Sequence, residues 1–167
     1  MPDVGVIAYV INAGNLVSEA DAKVVVDSAR AIGCEVDVVR VKKEQDIDAA
    51  MAAIAQRRIP AVLQGDAFFS SRANQIIKLA ERYAIPIMHP TRASVVAGGL
   101  IAYAPDVIEM TRTAGLYAGR ILKGDRPADL PVQQPTKYVL TINLRTAKKL
   151  GIAVPLTLLA RADEVIE

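Results

Sequence analysis

The hydrophobic positions switch between two periods along the first two thirds of the chain. Residues 4–11 form an unbroken apolar run, which predicts a strand buried on both faces, and residues 18–32 then carry apolar positions at helical spacing. Ser18 is predicted to cap this helix, because its hydroxyl can accept a hydrogen bond from a free first-turn amide. Gly33 is predicted to close it.

The same strand–helix unit then recurs. Strands are predicted at residues 35–41, 60–64, 85–88 and 100–104, and helices at residues 44–58, 67–83 and 94–97. Strands that alternate with helices at this period form βαβ units, whose right-handed crossovers place helices on both faces of a parallel sheet. The pattern therefore predicts a doubly wound α/β fold with four or five parallel strands.

The last third of the chain is less regular. It is predicted to contain a helix at 105–123, a polar proline-rich loop at 125–134, a strand at 137–142 and helical segments at 144–150 and 155–160. The first of these helices has an apolar stripe formed by Val107, Met110, Ala114, Tyr117 and Ile121. We therefore divide the chain into an α/β ligand-binding lobe, residues 1–104, and a C-terminal segment, residues 105–167, packed on the same lobe or on a partner subunit.

Composition excludes several classes of protein. The chain has 167 residues with 20 Lys and Arg against 18 Asp and Glu, a balance too even for an electrostatic nucleic-acid binder. Cys34 is its only cysteine and His89 its only histidine, which excludes a disulfide framework and multi-histidine metal sites. No apolar run reaches the ~18 residues of a membrane-spanning helix. We expect no cofactor and no metal.

Polar residues follow three of the predicted strands, at the sheet edge where open α/β folds bind ligands. Asn and Ser offer neutral donors and acceptors, and Arg92 has the geometry to pair with a carboxylate through two hydrogen bonds. These residues are equally typical of turns and helix caps. The resulting candidates for a small-molecule site are Asn12, Asn15, Ser18, Asp66, Phe68, His89, Thr91 and Arg92.

Catalysis has less support than binding. His89 at a strand end is a possible general base, with Asp66 as its partner, but no nucleophile lies in a recognisable elbow. Gly98 and Gly99 precede a strand without the spacing of a phosphate-binding loop, so a tight bend is the simpler interpretation.

Several segments resemble one known family, the ABC-transporter substrate-binding proteins of the tryptophan or aromatic amino-acid type. The resemblance is most specific at residues 124–155 (GDRPADLPVQQPTKYVLTINLRTAKKLGIAVP) and extends through LLARADEVIE at residues 158–167. Residues 85–106 and the NAGNLVSEADAK segment at residues 12–23 are similar in a looser way. The resemblance implies a lobe of the type I periplasmic-binding fold, with flavodoxin-like strand order and an extra C-terminal helix and strand.

By this resemblance the chain corresponds to the second lobe of a two-lobe protein and its C-terminal segments. Asn15 and Ser18 would then bind a polar head group, Asp66 an ammonium group and Phe68 a ring. The implied function is that of a solute-binding component of an ABC uptake system, not an enzyme, with a small amino-acid-like or aromatic ligand and an ABC permease as partner.

Two further expectations concern assembly and location. The apolar stripe of helix 105–123 needs a cover, so we expect a homodimer through the face that would meet a first lobe. The resemblance implies a periplasmic or membrane-anchored extracytoplasmic protein, whereas the start of the chain lacks a basic signal-peptide region and, taken literally, predicts the cytoplasm. The alternatives are a stand-alone ligand-sensing regulatory dimer and a small α/β enzyme using His89 and Asp66.

Overall fold

The computed structural model describes residues 5–167, which form one seven-stranded sheet with helices on both faces. The strands are β1 Val6–Asn12, β2 Glu35–Val41, β3 Val62–Gln64, β4 Ile87–His89, β5 Ile101–Pro105, β6 Tyr138–Asn143 and β7 Glu164–Ile166. The helices are α1 Leu16–Ala31, α2 Asp46–Gln56, α3 Ala67–Ser70, α4 Ala73–Tyr83, α5 Arg92–Val96, α6 Val107–Leu122, α7 Leu144–Lys149 and α8 Leu156–Leu159, with a 3₁₀ turn at Pro127–Asp129.

The strand order is β2-β1-β3-β4-β5-β6-β7, and the first five strands are parallel. This confirms the doubly wound α/β fold and the flavodoxin-like order of its parallel part. Strand β6 then runs antiparallel to β5, with Ile142 opposite Ile101, and β7 runs parallel to β6. The carboxyl ends of the five parallel strands thus lie along one edge of the sheet.

Two apolar cores hold the helices to the sheet. The larger one lies between β1, β3 and β4 and the helices α2 and α4, and its fully buried members include Ala8, Ile54, Val62, Phe69 and Ile87. The smaller one lies against α1 and contains Tyr9, Ile11 and Ala22. Each buried Ile or Phe side chain contributes roughly 1.5–3 kcal/mol to folding, so the larger core fixes the positions of the strand ends on which the candidate residues lie.

The cap of α1 differs from the prediction. Asn15, not Ser18, is the capping residue: its backbone is extended (φ −113°, ψ 113°) and its side-chain oxygen accepts from the Val17 amide. Ser18 lies inside the first helical turn and is buried. The prediction was wrong because Asn15 is as good a cap as serine, and it lies three residues earlier.

Residues 67–83, predicted as one helix, form two. Helix α3 ends at Ser70, and α4 begins at Ala73 after Arg72 leaves helical geometry (φ −115°, ψ 20°). The Ser71 hydroxyl donates to the Phe68 carbonyl, which satisfies an acceptor at the end of α3. This side-chain bond competes with continuation of the helix.

Strand β7 was not predicted from the sequence. It is only three residues long and pairs with β6 alone, so it has no periodicity of its own. Its position depends on long-range contacts. Thr141 lies opposite Glu164, and the Asp163 carboxylate accepts from the Leu140 amide at 2.8 Å. The sheet is therefore extended by residues close to the end of the chain.

Helix α6 has no buried residue over its whole length. Its Val107, Ile108, Leu116 and Leu122 side chains are all more than half exposed. These side chains are spread over about half of the helix circumference, and so much exposed apolar surface is unusual on a monomer. Among the residues described, no helix is long and apolar enough to cross a membrane.

Candidate functional site

The Asp66 carboxylate joins two loops at the carboxyl edge of the sheet. It follows β3, and its oxygens accept from Asn15 Nδ2 at 2.6 Å, from the Ser18 hydroxyl at 3.1 Å and from Asn12 Nδ2 at 3.4 Å. It also accepts from the Phe68 amide at 2.7 Å and so caps α3. Four of the predicted site residues are therefore in one network, and the backbone of a fifth is bonded to it.

Asp66 is held in an unusual conformation by this network. Its φ is +89°, a value that L-residues rarely adopt, and such strain marks functional positions more often than ordinary turns. Burial raises the pKa of the Asp66 carboxyl, but hydrogen bonds from Asn15, the Phe68 amide, Ser18 and Asn12 together outweigh burial and lower the pKa below its ordinary value of 3.8. The edge of the sheet thus carries a fixed negative charge at neutral pH.

Both asparagines are oriented from their other side as well. Asn12 Oδ1 accepts from the Gly14 amide at 2.9 Å, and Asn15 Oδ1 accepts from the Val17 amide at 3.0 Å. Their amide groups therefore point to Asp66 without rotational freedom. Each Nδ2 carries a second hydrogen, for which no acceptor is found among residues 5–167.

Phe68 is half-buried next to this network. Arg72 covers one side of its ring with its guanidinium 4.0 Å from the ring centroid, and Phe69 contacts the ring edge-on at a centroid distance of 5.1 Å. Phe69 is fully buried in the core. Of the two aromatic residues, Phe68 is thus the one with surface left for a ligand.

His89 lies elsewhere than at the rim. Its side chain is only 2% exposed, and Nδ1 lies 2.7 Å from Gln64 Nε2. Burial lowers the pKa of the imidazole from 6.5 to about 4, so the ring is neutral at physiological pH. Within residues 5–167, His89 and Asp66 share no hydrogen bond, and the geometry therefore gives the predicted enzyme alternative no support.

Thr91 and Arg92 are also engaged with residues outside the Asp66 network. Thr91 caps α5 through Ser94, whose amide donates to the threonine oxygen at 3.2 Å. Arg92 makes two 2.6 Å hydrogen bonds to the Glu164 carboxylate of β7. The residues after β1 and β3 are therefore joined in one network, as predicted. The residues after β4 form a separate group and do not reach this network.

A groove of about 610 Å³ lies beside this third group, where β4 and β5 end. Its walls come from the start of α5 and from the uncovered start of α6, and they are mostly apolar. Residues lining it include Thr91, Arg92, Pro105, Val107, Ile108 and Met110. The groove lies at the sheet edge where open α/β folds bind ligands.

Sequence reasoning missed two residues of the site. The first is Tyr9 on β1, whose hydroxyl packs against Gly65 so closely that a Cβ at Gly65 would lie only 3.0 Å from the phenol oxygen. Burial raises the pKa of the Tyr9 phenol, and the nearby charges of Asp21 and Asp66 raise it further. Arg72 covers Phe68 and donates to the Phe68 carbonyl. The signal for Tyr9 in the sequence is its polar hydroxyl within an otherwise apolar strand. The sequence carries no comparable signal for Arg72, because the helix break that positions it is not visible in the pattern. No cluster of three His, Cys, Asp or Glu within residues 5–167 fits a metal ion.

The flavodoxin-like sheet with a polar carboxyl edge has the architecture of a lobe of the periplasmic-binding-protein type. The model of the family described as "ABC transporter substrate binding protein" matches residues 1–166. The chain belongs to this family, whose members are substrate-binding proteins rather than enzymes.

Solved structures agree with this assignment. A conserved domain protein from Vibrio cholerae is similar with a TM-score of 0.88 and 26% identity, over 99% of this chain and 56% of that one. An ABC domain from Streptococcus pneumonia, solved in complex with L-Trp, has a TM-score of 0.87 and 23% identity, over 97% of this chain and 55% of that one. A ligand-free, open substrate binding protein with adhesive properties from Clostridium difficile has a TM-score of 0.70 and 17% identity, over 97% and 54%.

The chain thus spans just over half the length of these three structures. No curated protein matches it significantly.

Proposed function

We propose that this lobe forms one wall of the binding site for a small amino-acid-like or aromatic ligand in an ABC uptake system. The observation that carries the proposal is the Asp66 network. It holds a carboxylate, two oriented amide groups and the accessible side of Phe68 together at the carboxyl edge of the sheet.

The chemistry of this edge favours a ligand with an ammonium group and an apolar or aromatic side chain. The negative charge of Asp66 complements an ammonium, and the second Nδ2 hydrogens of Asn12 and Asn15 complement a carboxylate or carbonyl. The Phe68 ring adds an aromatic contact worth about 0.5–1.5 kcal/mol. The L-Trp in the complex of the Streptococcus pneumonia domain has all of these groups.

The test is an NMR-monitored titration of the chain at neutral pH with L-tryptophan, N-acetyl-L-tryptophan and L-leucine. We expect saturable shifts at the Asp66 loop, weaker binding of L-leucine and loss of binding for N-acetyl-L-tryptophan, which has no ammonium. Asp66→Asn should weaken L-tryptophan binding at least about tenfold, because it removes the negative charge that faces the ammonium. Asp27→Asn, at an exposed position of α1, is the matched control.

Phe68→Leu should weaken L-tryptophan binding about three- to tenfold and leave L-leucine binding nearly unchanged. Tyr103→Leu removes an exposed aromatic residue that stacks on Tyr138 and is its control. Equal binding of L-tryptophan and its N-acetyl derivative would contradict the assigned role of Asp66. Shifts confined to other surfaces would contradict the proposed site.

We further propose an extracytoplasmic protein that delivers its ligand to an ABC permease. The support is membership of a family of extracytoplasmic substrate-binding proteins. Retention of the chain by membranes that contain the permease of its own transport system, increased by ligand, would test this proposal.

The exposed face of α6 supports a second proposal, self-association of this chain into a homodimer. We propose a second copy of the chain as the occupant of this face, to which the exposed Val107, Met110 and Ile121 side chains of one helix stripe contribute apolar area. Light scattering should give a mass of about twice 17.9 kDa, and Ile121→Glu, in the apolar stripe, should halve it. A monomer without ligand would contradict this, and leave the face to the part of the longer relatives that the chain does not span.

The same measurement separates the transport component from the alternative, a ligand-sensing regulatory dimer. A sensor changes its mass or its partner affinity when ligand binds, because the ligand must discriminate between two states. A transport component should keep one mass with and without L-tryptophan.

A further inference from the structure

A second groove, of about 300 Å³, lies between helices α4 and α7 on the face of the sheet that carries the larger core. It contains Ile85, just before β4, and Asn143, where β6 ends. Because β6 is antiparallel to β5 and the Asn143 amide donates to the Leu100 carbonyl, Asn143 lies where the parallel strands begin. The groove therefore reaches the edge of the sheet opposite to the one that carries Asp66.

The imidazole of His89 contributes a buried donor to this groove. Gln64 Nε2 donates to Nδ1, which places the ring proton on Nε2. Among the residues described, Nε2–H has no hydrogen-bond partner. Nε2 is not one of the fully buried side-chain atoms that lack a partner, so it keeps contact with the open groove, where a bound acceptor would replace water.

Gly99 opens the path from the groove to this donor. It lines the groove, and a Cβ at this position would lie 2.7 Å from His89 Nε2 and 2.6 Å from Cδ2. The paired glycines of the sequence thus have a specific role, because the absence of a side chain at Gly99 leaves Nε2 facing the groove.

The other polar groups of the groove are already paired. Asn143 Nδ2 donates to the Val95 carbonyl, and the Thr146 hydroxyl donates to the Gly98 carbonyl. Lys149 pairs with Glu81 at 2.9 Å and thereby joins α7 to α4 across the groove.

Arg145 is exposed and takes part in no ion pair among residues 5–167, so its guanidinium and His89 Nε2–H are the donors left for a ligand. The remaining walls are apolar and are formed by Ile77, Ile85, Ile87, Val96, Leu100, Leu150 and Ile166.

We propose that this groove binds a small carboxylate with a short branched apolar body. The carboxylate accepts the hydrogen bond from His89 Nε2, Arg145 compensates its charge at the mouth, and the apolar body packs on the isoleucines. A volume of about 300 Å³ is at the lower end of the range of small-molecule sites. This site is independent of the proposed function, because it uses a different surface and needs no second lobe.

The test uses the fact that His89 is the only histidine, so that every imidazole signal belongs to this site. The ¹⁵N-labelled chain is titrated with 3-methylbutanoate, and with 3-methylbutanamide as the neutral isostere, while the Nε2 resonance is followed. We expect a saturable shift with the carboxylate and at least about fivefold weaker binding of the amide.

Arg145→Gln should weaken 3-methylbutanoate binding about threefold, as expected for an exposed charge. Lys148→Gln, on the same helix but outside the groove, should leave it unchanged. Both positions are exposed, so both variants should fold. No saturable shift, equal binding of the amide, or equal weakening by the two variants would overturn the proposal.

Discussion

Asn15 Nδ2 donates to Asp66 Oδ2 across 2.6 Å and so ties the start of α1 to the turn before α3, 51 residues further along the chain. This bond does more than join two loops, because Asp66 has a φ of +89°. A non-glycine residue in such a conformation costs of the order of 1–3 kcal/mol unless its surroundings hold it. The donors around Asp66 supply that restraint and also orient the amides that face the proposed ligand.

Replacing this carboxylate should therefore lower stability. The Asp66 carboxylate accepts four hydrogen bonds, from Asn12, Asn15, Ser18 and the Phe68 amide. In Asp66→Asn one of the two oxygens becomes an NH₂ group, which cannot accept from the two donors that face it. We expect the free energy of unfolding at pH 7 to fall by about 2 kcal/mol, the value of a hydrogen bond to a charged group. Urea denaturation measures this change, and Asp27→Asn at an exposed position should stay within about 0.5 kcal/mol of the parent.

The stability difference between the parent and Asp66→Asn should itself depend on pH. The pKa of Asp66 is lower in the folded than in the unfolded chain, so the unfolded state binds the proton more readily at acid pH. The stabilisation is complete above the ordinary value of 3.8 and is lost as the pH falls through the folded pKa. Denaturation series from pH 6 downward should show the two proteins converging only below about pH 4, and convergence near neutral pH would contradict the assigned shift.

Gly99 and Gly115 offer a matched pair of glycine substitutions. A Cβ at Gly99 would lie 2.6 Å from the His89 ring and 2.8 Å from the Ser94 carbonyl, whereas one at Gly115 on the surface of α6 meets nothing within 4 Å. Gly99→Ala should destabilise the protein by about 1–3 kcal/mol through overpacking. Gly115→Ala should stabilise α6 by up to about 1 kcal/mol.

Thermal unfolding of both glycine variants measures this contrast. A neutral Gly99→Ala would mean that the imidazole can move away at no cost, and it would contradict the packing role assigned to Gly99.

How much of the fold the sequence predicts depends on where each element obtains its stability. The parallel strands and the helices α2 and α4 bury regular apolar faces, so the flavodoxin-like order could be predicted from periodicity together with the family resemblance. Strand β7 could not, because Glu164, Val165 and Ile166 are a strand only through their pairing with β6. The break between α3 and α4 was also hidden, since the Ser71 hydroxyl bond that accompanies it has no periodic signature.

The site was predictable to the same extent. Residues directly after β1 and β3 come together, as the rule for parallel strand ends predicts, and they include Asn12, Asn15 and Asp66. The residues after β4 do not join them, because side-chain direction and the partner of each residue decide the outcome. His89 is directed to Gln64, and Arg92 is directed to a carboxylate 72 residues further along the chain.

The bond between Arg92 and Glu164 should hold β7 in place. Both guanidinium hydrogen bonds are 2.6 Å long, but the two side chains are 58% and 31% exposed, so water and salt screen the pair. We expect a small favourable coupling in a double-mutant cycle of Arg92→Gln and Glu164→Gln, and this coupling should disappear at high salt. Amide exchange of β7 should rise in each single variant. Arg161→Gln, near β7 but outside this pair, is the control. If amide exchange of β7 rose equally in this variant, the effect would come from loss of charge and not from loss of the Arg92–Glu164 pair.

The buried imidazole of His89 should make the protein sensitive to mild acid. Its pKa is about 4 in the folded chain because burial disfavours the charged ring, against an ordinary value of 6.5. Between these two values the unfolded state binds the proton and the folded state does not, so stability falls as the pH is lowered from 6.5 towards 4. The full difference corresponds to about 3 kcal/mol.

Two measurements check the acid sensitivity expected from His89. The single imidazole Cε1 proton should titrate with a midpoint near 4, and the free energy of unfolding should decline over that range. His89→Asn should be less stable at pH 7 but should lose the part of this decline that begins near pH 6.5, because His89 is the only histidine and the carboxylates bind protons on unfolding only closer to pH 4. A parent protein whose stability is flat from pH 6.5 to pH 4.5 would show that the ring is more accessible to water than its 2% exposure implies.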